Sequence, residues 1–156
     1  MMTNYPDFPG AFDESEQLTV HYGEYEIPVE EGLLKKLLLN IAEEQNADFK
    51  AIELIYVDEE EIVTINQEHL NRDYVTDIIS FRYDEREDLK AIEGTLYCCA
   101  PRISEQSREF GASETQEFYR IYIHGLLHLT GYNDQTNEEK AAMTQLENHY
   151  LELFNL

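Results

Sequence analysis

Apolar positions recur along the chain with two periods, and the switches between them mark the elements. In "VEEGLLKKLLLNIAEEQN" (29–46), Leu33, Leu34, Leu37, Leu38 and Ile41 fall on one face of a helix. Glu30 and Glu31 stand near its start, where the macrodipole favours acids. Before it, "LTVHYGEYEIP" (18–28) is rich in β-branched and aromatic residues and closes at Pro28, which predicts a first strand at an edge. "FKAIELIYVD" predicts a second strand, and "DEEEIVTINQEHL" a helix that buries Ile62 and Ile65. "VTDIISFRYD" (75–84) and "GTLYCCA" (94–100) read as two further strands joined by the acidic connection "EREDLKAIE", of hairpin-loop character.

From Pro101 onward the pattern is helical. Pro101 suits a first helical position and Gly111 a stop for "PRISEQSREF". "SETQEFYRIYIHGLLHLTG" opens on Ser113 with Gln116 three residues later, a capping-box pattern, and closes at Gly131. "NEEKAAMTQLENHYLELF" supplies the last helix. Strands grouped early and helices late predict an α+β single domain, with about four strands in a mixed sheet packed with helices. Residues 1–17, with two prolines and several acids, are expected to form a loosely held arm before a domain at 18–156.

Charge narrows the partners. The 156 residues carry 33 acidic and 11 basic side chains, a net charge of -22. So negative a surface repels polyanions over a Debye length, about 8 Å at physiological salt, which argues against a broad nucleic-acid-binding face. A local basic patch, or a site where bound cations neutralise the substrate, remains compatible with it. The start of the chain lacks a basic n-region and an apolar h-region, and no apolar run approaches the roughly 20 residues of a membrane span, so a cytoplasmic protein with no membrane partner is expected. Cys98 and Cys99 are adjacent, point to opposite faces of a strand, and are expected to be reduced packing residues.

The chemistry concentrates in "HGLLHLTGYND" (124–134). Residues four apart on a helix have Cβ atoms roughly 5–6 Å apart, so His124 and His128 can converge on one ion. Gly131 can adopt a left-handed conformation, stop the helix and turn the chain back, bringing Asp134 toward the histidines. Two imidazoles and a carboxylate make three protein ligands, the number in a catalytic zinc site whose fourth position holds water. The ion lowers that water's pKa toward about 7, which points to a hydrolase with one zinc per chain at the end of a central helix. His21, His69 and His149 are expected at the surface or half-buried rather than on metal. H-x-x-x-H-x-x-G-x-x-D with Met143 downstream also fits the zinc segment of metzincin peptidases. Gly125, however, occupies the position of their general base and has no side chain to take a proton.

"HGLLHLTGY", followed by an acidic segment and "M...E" in the final helix, resembles the YbeY family of metal-dependent endoribonucleases, whose motif reads H-G-x-L-H-L-x-G-Y-D-H with three zinc histidines. "NQEHLNRDYVTDIISF" resembles the family's N-x-x-(Y/F)-R-x-x-D-x-P-T-(D/N)-V-L-S-F through Asn66, Asp73, Thr76, Asp77, Ser80 and Phe81. The likeness covers roughly residues 18–154. It implies a zinc-dependent, single-strand-specific endoribonuclease acting through a zinc-bound water in ribosomal RNA maturation and ribosome quality control. Ribosomal RNA and ribosome-associated proteins are the implied partners, with Thr76 and Asp77 in the groove wall.

Two departures bear on mechanism. Leu70 stands where the family has an arginine and cannot bind phosphate, so Arg72 is the nearest substitute, with Arg82, Arg102 and Arg120 as further cations able to meet RNA. Asp134 replaces the third histidine. Its charge makes the bound water less acidic and makes harder ions such as manganese more competitive. A ribosome- or protein-binding module with a structural metal is the alternative that the missing arginine and the net charge favour.

Overall fold

The computed structural model of the protein describes residues 17–83 and 88–156. Residues 1–16 of the expected arm and residues 84–87 of the acidic connection lie outside them. Along the chain run β1 (Leu18–His21), α1 (Glu31–Gln45), β2 (Phe49–Val57), α2 (Glu59–Leu70), β3 (Ile78–Arg82), β4 (Ile92–Cys99), α3 (Ala100–Phe110), α4 (Glu114–Leu129) and α5 (Asn137–Leu153). The four strands form one sheet in the order β1-β2-β4-β3. β1, β2 and β4 are parallel, and β3 returns antiparallel to β4 as the expected hairpin. This is the mixed α+β domain that the hydrophobic pattern predicts.

Local chemistry sets the boundaries. The expected first strand to Pro28 is cut to four residues, because Gly23 adopts φ 63° and the Tyr25 amide turns back to the Tyr22 carbonyl at 3.3 Å. Asp58 caps α2 by accepting from the Glu61 amide at 2.8 Å, and Asn71 ends it in the left-handed conformation. Gly111 closes α3 at φ 64°. At α4 only half of the expected capping box forms. Ser113 accepts from the Gln116 amide, but the Gln116 side chain donates instead to the Leu156 carbonyl at 3.3 Å, tying the last residue to the helix start. A complete capping box occurs at α5, between Thr136 and Glu139.

The sheet divides the apolar residues into two layers. Leu34, Leu37, Leu38 and Ile41 of α1 pack with Phe118, Tyr122 and Leu126 of α4 against Ile52, Leu54, Leu96 and Cys98. On the opposite face Ile62 of α2 covers Val57, Ile79, Phe81, Tyr97 and Cys99. Cys98 and Cys99 therefore do point to opposite faces, both as free thiols. Burial pushes both thiols up, which keeps them protonated and unreactive. No helix among the described residues is long and apolar enough to cross a membrane.

α4 buries most of its circumference and keeps one partly open polar stripe, Gln116, Arg120, His124 and His128, at four-residue spacing. Tyr119 accepts from the Glu30 amide and Tyr122 donates to the Leu34 carbonyl, both at 2.8 Å, which anchors α4 to the start of α1. Gly125 fixes its distance from the sheet. A Cβ there would stand 2.6 Å from Ile78 Cδ1 and 2.9 Å from Leu96 Cδ2. The glycine at the position of the metzincin general base is thus a point of close contact between the histidine-bearing helix and β3 and β4. Gly125→Ala is expected to cost about 1–3 kcal/mol through overpacking, read by urea denaturation. An unchanged midpoint would show that the contact is not tight.

Candidate metal centre

His124 and His128 lie one turn apart in the last half of α4, and the chain after them reverses as the glycine predicts. The Gly131 amide donates to the His128 carbonyl at 3.0 Å and the Tyr132 amide to the Leu127 carbonyl at 3.1 Å, with Gly131 at φ 100°. This reversal lays Asp134 against the two rings. Asp134 Oδ2 is 3.3 Å from His124 Nε2 and 3.5 Å from His128 Nε2, and the two Nε2 atoms are 2.9 Å apart.

Hydrogen bonds on the far side of each ring decide what these atoms are. His128 Nδ1 lies 2.8 Å from the Tyr132 carbonyl, which only accepts, so the proton of that ring is on Nδ1. His124 Nδ1 lies 2.7 Å from Glu147 Oε2, a carboxylate that draws the proton to the same position. Both Nε2 atoms then present lone pairs, and with Asp134 Oδ2 they form three electron-pair donors facing one point. Such a cluster is repulsive unless a cation sits among them. Donors about 2.0–2.1 Å from a tetrahedral zinc are roughly 3.3 Å from one another, and the observed separations bracket that value. His124, His128 and Asp134 therefore form a group able to hold a metal, and among the described residues no fourth histidine, cysteine or carboxylate joins it.

Glu147 is itself supported. It is 6% exposed and its Oε1 accepts from Arg120 at 3.1 Å. Arg120 also faces the buried Glu117 at 3.8 Å, and Gln106 donates to Glu117 at 3.0 Å and to Asp77 Oδ2 at 3.1 Å. One polar chain thus runs from Asp77 through Gln106, Glu117, Arg120 and Glu147 to His124. Burial disfavours a charged His124. The hydrogen bond and charge of Glu147, helped by Asp134 and Asp77, outweigh it and hold the imidazole above its ordinary 6.5. The same field that attracts a proton attracts a metal cation.

The donors open onto a groove of about 430 Å³, whose wall includes Leu70, Arg72, Tyr74, Thr76, Asp77 and Arg82. Arg72, from just beyond α2, and Leu70 both line this groove. Thr76 donates to Asp77 Oδ1 at 3.4 Å. Arg82 bonds the Asp88 carbonyl at 2.7 Å. Arg102 pairs with Glu105 and Glu109 on the surface of α3, and Arg120 with the network above. His21, His69 and His149 lie away from the centre, each beside a glutamate.

Glu147 is legible in the sequence only indirectly. Its signal was register: Met143, Glu147, Tyr150 and Leu151 are the buried face of α5, so an acid occupies a core position. An acid there needs partners, and these are Arg120 and His124 of the donor group.

Fold and centre together define an α+β domain with a two-histidine, one-aspartate group at the end of its central helix. The family model for the endoribonuclease YbeY matches residues 17–155, and the chain belongs to that family. It is 38% identical to the endoribonuclease YbeY of Chlorobaculum tepidum, over 79% of this chain and 88% of the relative. With the protein of the same name from Ureaplasma urealyticum it shares 37% identity, over 79% and 76% of the two chains. The solution structure of TM1509 from Thermotoga maritima matches with a TM-score of 0.62 and 26% identity, covering 88% of this chain and 90% of that one.

Glu147→Ala is expected to weaken metal binding about 10–100-fold, measured by competition with a chromophoric chelator. Glu147→Gln, whose amide oxygen still accepts the Nδ1 proton, should stay closer to wild type. Equal affinity in all three would show that His124 needs no orienting partner.

Proposed function

We propose that the chain is a zinc-dependent endoribonuclease, specific for single strands, that acts in the cytoplasm in ribosomal RNA maturation and ribosome quality control. The observation that carries this reading is the three-donor group at the foot of an open groove. Structural zinc sites close all four positions with protein, whereas catalytic sites leave one for water. When bound, the metal supplies a Lewis acid and lowers the pKa of a water toward about 7. The relatives' shared name supplies the substrate class, and ribosomal RNA with ribosome-associated proteins are the partners that the family resemblance implies.

The chain's own residues prepare the rest. Glu147 and the Tyr132 carbonyl keep the Nδ1 protons in place, so both imidazoles present Nε2 to the groove. Asp134 adds a negative charge to the donor set, which favours cation binding and brings manganese into competition with zinc. Arg72, for which no ion pair occurs among the described residues, is placed to hold a phosphate beside the scissile bond and to take over what Leu70 cannot do. Thr76 and Asp77 bound the groove next to the histidines and orient the strand across it.

Leu70 favours a second reading, in which the protein binds a ribosomal partner and the metal is structural. Cleavage of a ribosomal RNA precursor by the isolated protein separates the two. Wild type should cut, His124→Ala should fall to background, and Arg72→Ala should lose roughly a hundredfold in rate, the scale for removing one charge-stabilising donor. Equal background in wild type and His124→Ala would leave the binding module as the better account.

A further inference from the structure

Beyond the groove, a second cavity of about 320 Å³ opens on the other side of the metal centre, between α3, α4 and α5. The two share Asp77, His124 and Asp134, so they meet at the donors and form a path across them. The family resemblance assigns no role to Phe110 or Lys140, which line this second cavity.

Its floor is acidic, and its carboxylates are tied into ion pairs and hydrogen bonds with one another's partners. Glu117 and Glu147 both face Arg120, Gln106 bridges Glu117 to Asp77, and Glu147 also holds His124. The rim is different. Phe110, at the end of α3, is 67% exposed, the most exposed large apolar side chain among the described residues. Lys140, on the first turns of α5, is exposed, and no ion pair of its ammonium occurs among the described residues. Across the centre, the groove has a matching pair in Tyr74, 52% exposed, and Arg72. Each side of the donors thus offers one solvent-facing aromatic ring and one cation. Aromatic platforms beside cations are how proteins hold unpaired nucleotides, because every base has a face to stack and every linkage a charge to meet.

We propose that the second cavity is a nucleotide subsite, taking the unpaired nucleotide on the side of the scissile phosphodiester away from Arg72, with its base on Phe110 and its phosphate at Lys140. The assignment rests on the RNA reading of the metal centre and extends it to residues outside the groove. Size agrees: the volume lies at the lower end of small-molecule pockets, roughly 300–1,000 Å³. The exposure of Phe110 on a helix end also means that changing it removes a contact surface without opening the core.

Binding of a fluorescein-labelled, single-stranded 2′-O-methyl phosphorothioate RNA of mixed sequence, which resists cleavage, tests it by anisotropy on the zinc-loaded full chain. Phe110→Ala is expected to raise Kd about tenfold, on the scale of one lost base stack, while Phe110→Trp retains affinity. Lys140→Gln should reduce the salt dependence of binding by about one unit of slope. Wild-type binding with unchanged affinity in Phe110→Ala and unchanged slope in Lys140→Gln would overturn the subsite and leave the RNA reading standing. Absence of binding by the wild type itself would overturn the RNA reading and the subsite with it.

Discussion

His124 and His128 each give their Nδ1 proton to a fixed acceptor, and the metal centre depends on that choice of tautomer. One acceptor is the Tyr132 carbonyl, delivered by the turn at Gly131. The other is Glu147, delivered by α5 and steadied by Arg120. Remove either and the corresponding Nε2 can carry the proton instead, turning a metal donor into an N–H that repels the ion. The centre is therefore built by three separate pieces of tertiary structure acting on one helix: the close contact at Gly125, the reversal after Leu129, and the carboxylate from α5.

On the proposed RNA reading, this arrangement also reconciles an acidic protein with an anionic substrate. A net charge of -22 opposes RNA at long range, while near the centre Glu147 is engaged by Arg120 and His124, and Asp77 and Glu117 by Gln106. A cation among the three donors and the side chains of Arg72 and Lys140 concentrate positive charge along a narrow path. Binding through so few cations would show a shallow dependence on salt. Leu70, 39% exposed in the groove wall, removes one cation from that path and makes Arg72 the residue on which the reading turns.

The fold was largely legible because its elements obey simple periodicities. The i, i+4 stripe of α1, the enclosed apolar run of α4 and the β-branched segments of β2 and β4 each follow from burial on one or both faces. The strand expected to Pro28 failed because β-propensity does not register a left-handed glycine: Gly23 turns the chain after His21. The three donors were visible in "HGLLHLTGYND" because helix spacing and one glycine suffice to bring them together. Glu147 was visible only as an acid at a core position, and its partner lies 23 residues away, a distance that no local pattern spans. The carboxylates that Arg102 and Arg120 meet were not legible for the same reason, since packing between and along helices sets them.

The claim most open to direct test is that His124, His128 and Asp134 hold one zinc through Nε2, Nε2 and Oδ2. Metal content by inductively coupled plasma mass spectrometry, measured with circular dichroism on wild type and His128→Ala, addresses it. About one zinc per chain in wild type, lost in a His128→Ala variant of unchanged helix content, is the predicted result. A wild-type protein that is fully folded and carries no metal after purification without chelators and exposure to zinc would contradict it.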